Sequence, residues 1–380
     1  MHVHTIVFGW EKNMNQLEEK LQFKRGLTLK NRIVIAPMTT KMSFFDGVVT
    51  NDEIAYYASR SGEAGAFITA AANVHEGGKG WDGELGVYDD RFIPGLAKLA
   101  SAIKKNGTKA ILQIFHGGRM TDSKVLQGVQ PVAPSAVPAE RPNAETPRAL
   151  EEVEIYEILD GFKKATERAI KAGFDGVELH GANTYLIQQF FSPHSNRRTD
   201  DWGGSLEKRF KFINELVDGV TSVVDQSGVK DFIVGYRFSP EEYEEPGIRL
   251  SDTLYLVDQL ANKPLDYLHL SSNDYTKVSI SEDFKDKPIL AYIKETINER
   301  LPLIVAGDIR TKQDVEGALQ TADLVAVGRS ILIDPHWTQK ILDDQESLIR
   351  TELSQYDRED LRISNGVWGF LQLMMPERLK

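Results

Sequence analysis

Short apolar runs alternate with amphipathic segments along most of the chain. Eight of the runs are apolar at consecutive positions rather than at alternate ones, which is typical of parallel strands that are buried on both faces. The predicted strands are residues 33–38, 66–69, 110–115, 176–179, 232–238, 267–271, 303–306 and 324–327.

The amphipathic segments carry apolar residues at helical spacing. They predict helices at residues 52–62 (with Asn51 as the N-cap), 92–106, 151–171, 206–224, 253–261, 289–299 and 312–320, after a short helix at 15–21. Because strands and helices alternate without a linker, the simplest fold is an α/β (β/α)8 TIM barrel, in a single domain of residues 1–380 with inserted loops.

Three segments lie outside this repeat. Residues 1–30 are predicted to form an N-terminal lead-in and residues 351–380 a C-terminal extension, whose Trp368 and Phe370 pack either on the barrel or on a neighbouring subunit. The Pro-rich stretch 127–147 has few helix or strand signals. Since loops of that length are usually functional, we expect it to fold over the barrel mouth, meaning the opening at the carboxyl ends of the strands.

Bulk composition narrows the functional classes. The net charge of −11 argues against a nucleic-acid-binding surface, which is normally basic. The absence of cysteine excludes disulfides and cysteine-ligated zinc or iron–sulfur sites. No apolar stretch approaches the ~20 residues that span a bilayer, and residues 1–12 do not resemble a secretory signal. We therefore expect a cytoplasmic protein that binds neither nucleic acid nor membrane.

Polar residues follow the predicted strands at their carboxyl ends, where barrel enzymes bind ligands. His180, Asn183 and Tyr185 come directly after the fourth strand. Gln113 interrupts the third strand, and a buried amide without partners costs roughly 1–3 kcal/mol. Arg237 lies near the end of the fifth strand, where a charge needs an anionic partner. Either protein neighbours or a ligand must satisfy these groups.

The last two strands end in glycine-bearing turns. Gly307 and Asp308 follow the seventh strand, and Gly328 and Arg329 follow the eighth. Glycine lets backbone N–H groups approach a ligand closely, and barrels commonly bind phosphate after these strands. Arg329 can add a bidentate, charge-assisted contact. These turns therefore predict a phosphate site.

Two sequence motifs carry a family resemblance. The His180, Asn183 and Tyr185 spacing, with the run SPHSNRRTDDWGGSLEKRF that follows it, resembles the fourth-strand segment of the old yellow enzyme family of FMN-dependent ene-reductases. QIFHGGR, which begins at Gln113, resembles that family's Gln-x-x-His-x-Gly-Arg motif. The resemblance covers roughly residues 20–340 and implies a (β/α)8 barrel with bound FMN.

The resemblance also implies how FMN is held. Gln113 would bond the pyrimidine ring of the flavin, Arg237 would lie beside its N1 and O2 atoms, and Thr39 would tune its potential. The remaining implied contacts are Ala36, Pro37, Met38 and Ala71 against the ring, and Gly307, Asp308, Gly328 and Arg329 at the phosphate. NADH or NADPH would enter by the same mouth, since no G-x-G-x-x-G follows a strand.

The implied reaction passes hydride from NAD(P)H through flavin N5 to an activated C=C bond or a quinone. His180 and Asn183 would bind the acceptor oxygen in the manner of an oxyanion hole. Tyr185 would then supply a proton from the opposite face. Lys41 departs from the aromatic residue that is common in one branch of the family.

Two alternatives stay open at this point. A metal-dependent TIM-barrel hydrolase could use His180, His269 and Asp308, although no ligand spacing such as H-E-x-x-H occurs and we assign no metal ligands. A flavin-binding protein without reductase activity is the second alternative. The sequence gives neither the acceptor nor the preferred nicotinamide, and it leaves a homo-oligomer possible.

Overall fold

Eight parallel strands close into a barrel in the computed structural model, which describes residues 16–380. The strands are Ile33–Ile35, Ala66–Ile68, Lys109–Phe115, Gly176–Gly181, Ile233–Phe238, Tyr267–Ser271, Leu303–Ala306 and Leu324–Val327. The fourth strand pairs with both the third and the fifth, which closes the ring. The predicted (β/α)8 TIM barrel is therefore confirmed.

Helices cover the outside of the barrel, as predicted. They are Asn51–Arg60, Ile93–Lys104, Glu152–Lys171, Leu206–Ser227, Leu250–Ala261, Ile289–Ile297 and Lys312–Leu319, with Leu186–Phe191, Arg329–Ile333, Trp337–Leu342 and Asn365–Met374 in addition. The N-cap of the first helix is Thr50 rather than Asn51, because the Thr50 side chain accepts the N–H of Glu53. Within residues 16–380, no helix is both long and apolar enough to cross a bilayer.

Two strands end more than one residue away from the predicted position. The first strand ends at Ile35, before Pro37, which has no N–H to give to a neighbouring strand. The fourth continues to Gly181, so His180 lies inside the paired strand rather than after it. Two short strands, Ala72–Asn73 and Leu85–Gly86, extend the sheet next to the third barrel strand.

The N-terminal segment closes the bottom of the barrel. The helix predicted at residues 15–21 is wrong where the structure describes it, because only Gln16–Glu18 is helical, as a single 3-10 turn, while residue 15 lies outside the described range. A hairpin of Leu21–Gln22 and Thr28–Leu29 follows. Burial alternates along this segment, and its apolar side chains join the cluster that fills the barrel interior.

The barrel interior changes from apolar to polar toward the mouth. Along the third strand Ile111 is followed on the same face by Gln113, and along the sixth Tyr267 is followed by His269. Ile111 and Tyr267, which lie farther from the mouth, belong to the apolar cluster inside the barrel. Gln113 and His269 are buried polar residues that need partners inside the barrel.

The run SPHSNRRTDDWGGSLEKRF, which follows the fourth strand, holds a neighbouring loop in place through hydrogen bonds. Arg198 donates to the carbonyls of Pro134 (3.1 Å) and Leu150 (2.6 Å). The Asn196 amide donates to two further carbonyls, one of them that of Trp202. The Pro-rich loop ends in a short parallel pair, Val132–Ala133 with Arg148–Ala149. This motif therefore has an architectural role, in which it ties the loop to the barrel.

The C-terminal helix packs on the barrel of its own chain. Its Val367 and Leu371 are fully buried, and Trp368 packs against the main core. Of the two positions considered for this tail, the one on the barrel is therefore the observed one.

Candidate active site

A cavity of about 500 Å³ lies at the barrel mouth. Of the fourteen residues predicted for the site, eleven line it: Ala36, Pro37, Met38, Thr39, Asn183, Tyr185, Arg237, Gly307, Asp308, Gly328 and Arg329. The other three, Ala71, Gln113 and His180, are buried and do not line the cavity.

His180 is placed as a neutral hydrogen-bond donor. Its ring is 3% exposed, and Nδ1 accepts the N–H of Ala182 at 3.4 Å. Because that nitrogen is an acceptor, the ring proton is assigned to Nε2. Burial, followed by the charge of Arg237, lowers the pKa of His180 well below its usual value. The imidazole therefore stays neutral near pH 7.

Asn183 lies in a tight turn, and its side-chain amide faces the barrel mouth. Its backbone has φ of +56°, which asparagine tolerates better than most residues. The Asn183 N–H donates to Ser239 Oγ (2.9 Å), and Ser271 Oγ donates to Asn183 Oδ1 (3.0 Å). Since the amide oxygen is occupied, the side-chain NH2 is the group that is left for a ligand.

Tyr185 is surrounded by aromatic rings at the cavity wall. The ring centroids of Phe115 and His180 both lie 5.0 Å from its own, and that of Trp81 lies 6.2 Å away. Burial, followed by the nearby carboxylate of Glu84, raises the pKa of Tyr185 above its usual value. The phenol therefore keeps its proton and can act as an acid.

Arg237 and Gln113 are only partly satisfied by the protein. Nη2 of Arg237 donates to Ser271 Oγ at 2.9 Å, while its buried Nε has no partner among residues 16–380. Nε2 of Gln113 donates to Oε1 of Glu178 at 2.7 Å, so Oε1 of Gln113 is the amide atom available to a ligand. Each of these residues thus has a protein partner for one polar group, while a second polar group is left without one.

The opposite end of the cavity is cationic. Oδ1 of Asp308 accepts from Nε of Arg310 (2.7 Å) and from Nη2 of Arg329 (2.8 Å), and Arg350 and Arg378 also line this end. The guanidinium groups of these four arginines outnumber the two carboxylates that line the cavity, those of Asp308 and Glu377, and this excess creates a site for an anion. Asp308 itself binds the arginines, so it orients them rather than presenting a donor.

The glycines after the last two strands leave no room for a side chain. A Cβ added to Gly307 would lie 2.5 Å from the backbone N of Tyr275. One added to Gly328 would lie 2.8 Å from Sδ of Met38. Gly307 is therefore required by its close approach to the backbone of Tyr275, and a side chain at position 328 would have to displace Met38.

Several cavity residues were missed from the sequence. They are Ser271, Ser272, Asn273, Arg310, Ile349, Arg350, Phe370, Leu371, Met375 and Arg378. Ser271 ends the sixth strand, and that position alone could have indicated it. The last six come from the C-terminal part of the chain and follow no barrel strand, so the repeat could not point to them.

The fold and the cavity place the chain among (β/α)8-barrel proteins with a ligand site at the barrel mouth, and comparison with known proteins then gives the family. The model of the NADH:flavin oxidoreductase / NADH oxidase family matches residues 17–347. The chain belongs to this family.

Relatives with named activities cover most of the chain. The NADH:acrylate oxidoreductase of Vibrio harveyi is 46% identical over 368 residues, which are 96% of this chain and 36% of that protein. The NADH:fumarate oxidoreductase of Klebsiella pneumoniae is 44% identical, over 91% of this chain and 38% of that protein. The chain thus spans little more than a third of each of these relatives. The probable NADH-dependent flavin oxidoreductase YqiG of Bacillus subtilis is 43% identical over 93% of this chain and 94% of its own length.

Solved structures agree with the family. Morphinone reductase in complex with tetrahydroNAD has a TM-score of 0.74 at 31% identity, over 87% of this chain and 91% of that one. An old yellow enzyme homologue from Zymomonas mobilis has a TM-score of 0.74 at 28% identity, over 87% and 93% of the two chains. The old yellow enzyme resemblance is confirmed. The family to which the chain belongs is one of FMN-binding oxidoreductases that take electrons from a nicotinamide.

The residues at the cavity fit FMN. The cavity volume of about 500 Å³ lies within the range of roughly 300–1,000 Å³ that is typical of small-molecule sites. The cationic end suits a phosphate, and the unpartnered Nε of Arg237 with Oε1 of Gln113 suits the donors and acceptors of a pyrimidine ring. Residues 16–380 hold no group of three or more His, Cys, Asp or Glu side chains that could bind a metal ion.

Proposed function

We propose that the protein is an FMN-dependent NAD(P)H:acceptor oxidoreductase that reduces activated C=C bonds. The observation that carries the proposal is the grouping of two neutral donors with a protonated phenol. Nε2 of His180 and the NH2 of Asn183 are the donors that their protein contacts leave for a ligand, and the Tyr185 ring lies 5.0 Å from the ring of His180.

Bound FMN would supply the hydride chemistry, taking two electrons from NADH or NADPH and giving them to the acceptor. Gln113 and Arg237 would hold its pyrimidine ring, and the positive charge of Arg237 favours an electron-rich ring. The remaining proposed contacts are Ala36, Pro37, Met38, Thr39 and Ala71 for the ring, and Gly307, Gly328 and Arg329 for the phosphate end, where Asp308 orients Arg329.

His180 and Asn183 would act on the acceptor. An alkene that bears a carbonyl, carboxyl or nitro group accepts hydride only if the negative charge that develops on its oxygen is stabilised. Two donors fixed by Ala182 and Ser271 need no reorganisation to do this, which is what gives oxyanion holes their effect. Tyr185, which keeps its proton because burial raises its pKa, would protonate the α-carbon.

The acceptor class rests on this oxygen-binding pair. It favours enones, nitroalkenes and quinones, all of which present an oxygen conjugated to the bond that is reduced. The names of two relatives add acrylate and fumarate, which are unsaturated carboxylates, as acceptors to test. Those relatives are much longer than this chain, so their acceptors serve here as candidates.

The direct test is an anaerobic assay of the purified FMN-loaded protein. NADH and NADPH oxidation would be followed with 2-cyclohexenone, nitrostyrene, acrylate, fumarate and benzoquinone in turn. We expect reduction of at least one alkene at a rate well above that without acceptor. A protein that binds FMN but oxidises neither nicotinamide with any acceptor would instead be a non-catalytic flavin-binding protein.

A further inference from the structure

A buried carboxylate lies in the barrel below the cavity, and the proposed reaction gives it no task. Glu178 is in the middle of the fourth strand, is 0% exposed and does not line the cavity. Three groups contact it. Nε2 of Gln113 donates to Oε1 at 2.7 Å, and Tyr267 OH (3.1 Å) and His269 Nδ1 (2.8 Å) meet Oε2. A carboxylate with this set of partners is built to stay ionised.

The charges around Glu178 determine its state. Burial raises its pKa, but the hydrogen bonds from His269 and Gln113 and the charge of Arg237 outweigh burial, so the pKa ends below its usual value. Burial lowers the pKa of His269, so this ring is neutral and donates from Nδ1. Arg237 pairs in register with His269 on the neighbouring strand and is the cation that offsets Glu178. This part of the barrel interior thus holds one negative charge, on Glu178, and one positive charge, on Arg237.

Glu178 also decides which way Gln113 faces. An ionised carboxylate can only accept, so the amide atom that faces it must be Nε2. This turns Oε1 of Gln113 away from Glu178. An oxygen in that position can accept the N–H of a pyrimidine ring, whereas the reversed amide would present a donor to a donor.

We propose that Glu178 is a positioning residue for the flavin, which acts through two neighbours. It fixes the Gln113 amide with its oxygen toward the ring, and it offsets the charge of Arg237, so that it sets both the affinity for FMN and the redox potential of bound FMN. This inference rests on the proposed function, because it takes FMN to bind against Gln113 and Arg237.

The experiment measures the dissociation constant of FMN and the midpoint potential of the bound flavin in Glu178→Gln. The side chain keeps its size but loses the charge, and it no longer forces one orientation on Gln113. We expect oxidised FMN to bind about tenfold more weakly. Reduced FMN should bind about as before, because losing the negative charge favours the anionic ring. That tenfold difference corresponds to a potential raised by about 30 mV for two electrons.

Two further variants separate the effects. Glu178→Asp keeps the negative charge but moves it away from Gln113. It should therefore weaken the binding of oxidised and reduced FMN alike and leave the potential unchanged. This variant also tests the proposal if Glu178→Gln does not fold. Glu242→Gln removes another buried carboxylate, which binds Gln188 and Ser192. It should change neither quantity.

Wild-type affinity and potential in both Glu178 variants would overturn the proposal. Neither measurement needs an acceptor. A wild-type protein that binds FMN but reduces no alkene would therefore contradict the proposed function and still allow Glu178 to be tested.

Discussion

Ser271 and Asn183 form a hydrogen bond of 3.0 Å in which the serine hydroxyl donates to the amide oxygen. The same hydroxyl accepts from Arg237 at 2.9 Å. One residue at the end of the sixth strand therefore connects the group proposed to hold the flavin with a group proposed to hold the acceptor. It also leaves only the NH2 of Asn183 free to face the mouth.

Removal of this hydroxyl should impair acceptor reduction. In Ser271→Ala the Asn183 amide loses the bond that orients it, and a typical hydrogen bond contributes about 1 kcal/mol. We expect turnover with an enone to fall roughly five- to tenfold, measured in the steady state with saturating NADH. Ser279→Ala is the matched control, since that buried hydroxyl bonds Glu241 and the residue does not line the cavity. Equal losses in both variants would exclude an orienting role for Ser271.

Tyr185→Phe should separate alkenes from quinones. The variant loses the proposed acid, so alkene reduction should slow by roughly 10²-fold or more. Benzoquinone takes up its protons on oxygen, which water can supply, so its reduction should stay near the wild-type rate. Flavin reduction by nicotinamide should also be unchanged. The measurement is anaerobic stopped-flow of each half-reaction, and a parallel slowing with both acceptors would show that Tyr185 is not the proton donor.

Arg329→Ala should weaken the binding of FMN but not the binding of riboflavin. Charge-assisted hydrogen bonds contribute roughly 1.5–3 kcal/mol, so loss of the guanidinium should raise the dissociation constant of FMN roughly 10- to 100-fold. Riboflavin lacks the phosphate and is the control ligand, with an expected change of less than about twofold. Quenching of flavin fluorescence measures both constants. An equal effect on the two flavins would place the phosphate elsewhere in the cavity.

The fold and most of the candidate site could be predicted because each barrel strand carries its own local signal. An apolar run marks the strand, and the residue at its end marks the mouth, as Arg237 and Gly328 do. The hydrogen-bond partners of the site residues could not be predicted in this way, because they depend on which strands become neighbours. Nothing near Gln113 in the sequence points to Glu178, which is 65 residues away. The arginines at 350 and 378 follow no barrel strand, so their contribution to the cavity appears only in three dimensions.

The orientation of Asn183 shows the same limit. Its position after the fourth strand was evident from the sequence, but the choice between its amide oxygen and its NH2 depends on Ser271, 88 residues later in the chain. A family motif indicates which residues meet a ligand and leaves open which of their atoms do so.

A buried carboxylate outside the cavity should control the pH dependence of stability. Glu53 accepts the hydroxyls of Thr40 and Ser43, and burial raises its pKa from 4.5 to about 7. Between these two values the folded protein holds a proton that the unfolded chain releases. Stability contributed by Glu53 therefore falls as pH rises through this window and levels off above it.

Glu53→Gln removes this dependence. Relative to wild type, the variant should gain up to about 3 kcal/mol of unfolding free energy as pH rises from 5 to 8. Urea unfolding at several pH values measures the difference, and other titrating groups cancel because they are common to both proteins. Parallel pH profiles for the two proteins would mean that Glu53 is ionised throughout.

The most direct test of the account is the reoxidation of reduced flavin in His180→Ala. The protein, loaded with FMN and reduced by one equivalent of NADH without oxygen, is mixed with 2-cyclohexenone in a stopped-flow spectrometer. Loss of one oxyanion donor should slow reoxidation roughly 10²–10³-fold, while FMN affinity stays at the wild-type value. Because burial and Arg237 keep the ring neutral, the wild-type rate should also be flat from pH 6 to 8. A His180→Ala rate equal to that of wild type would remove this residue, and the oxygen-binding pair with it, from the mechanism.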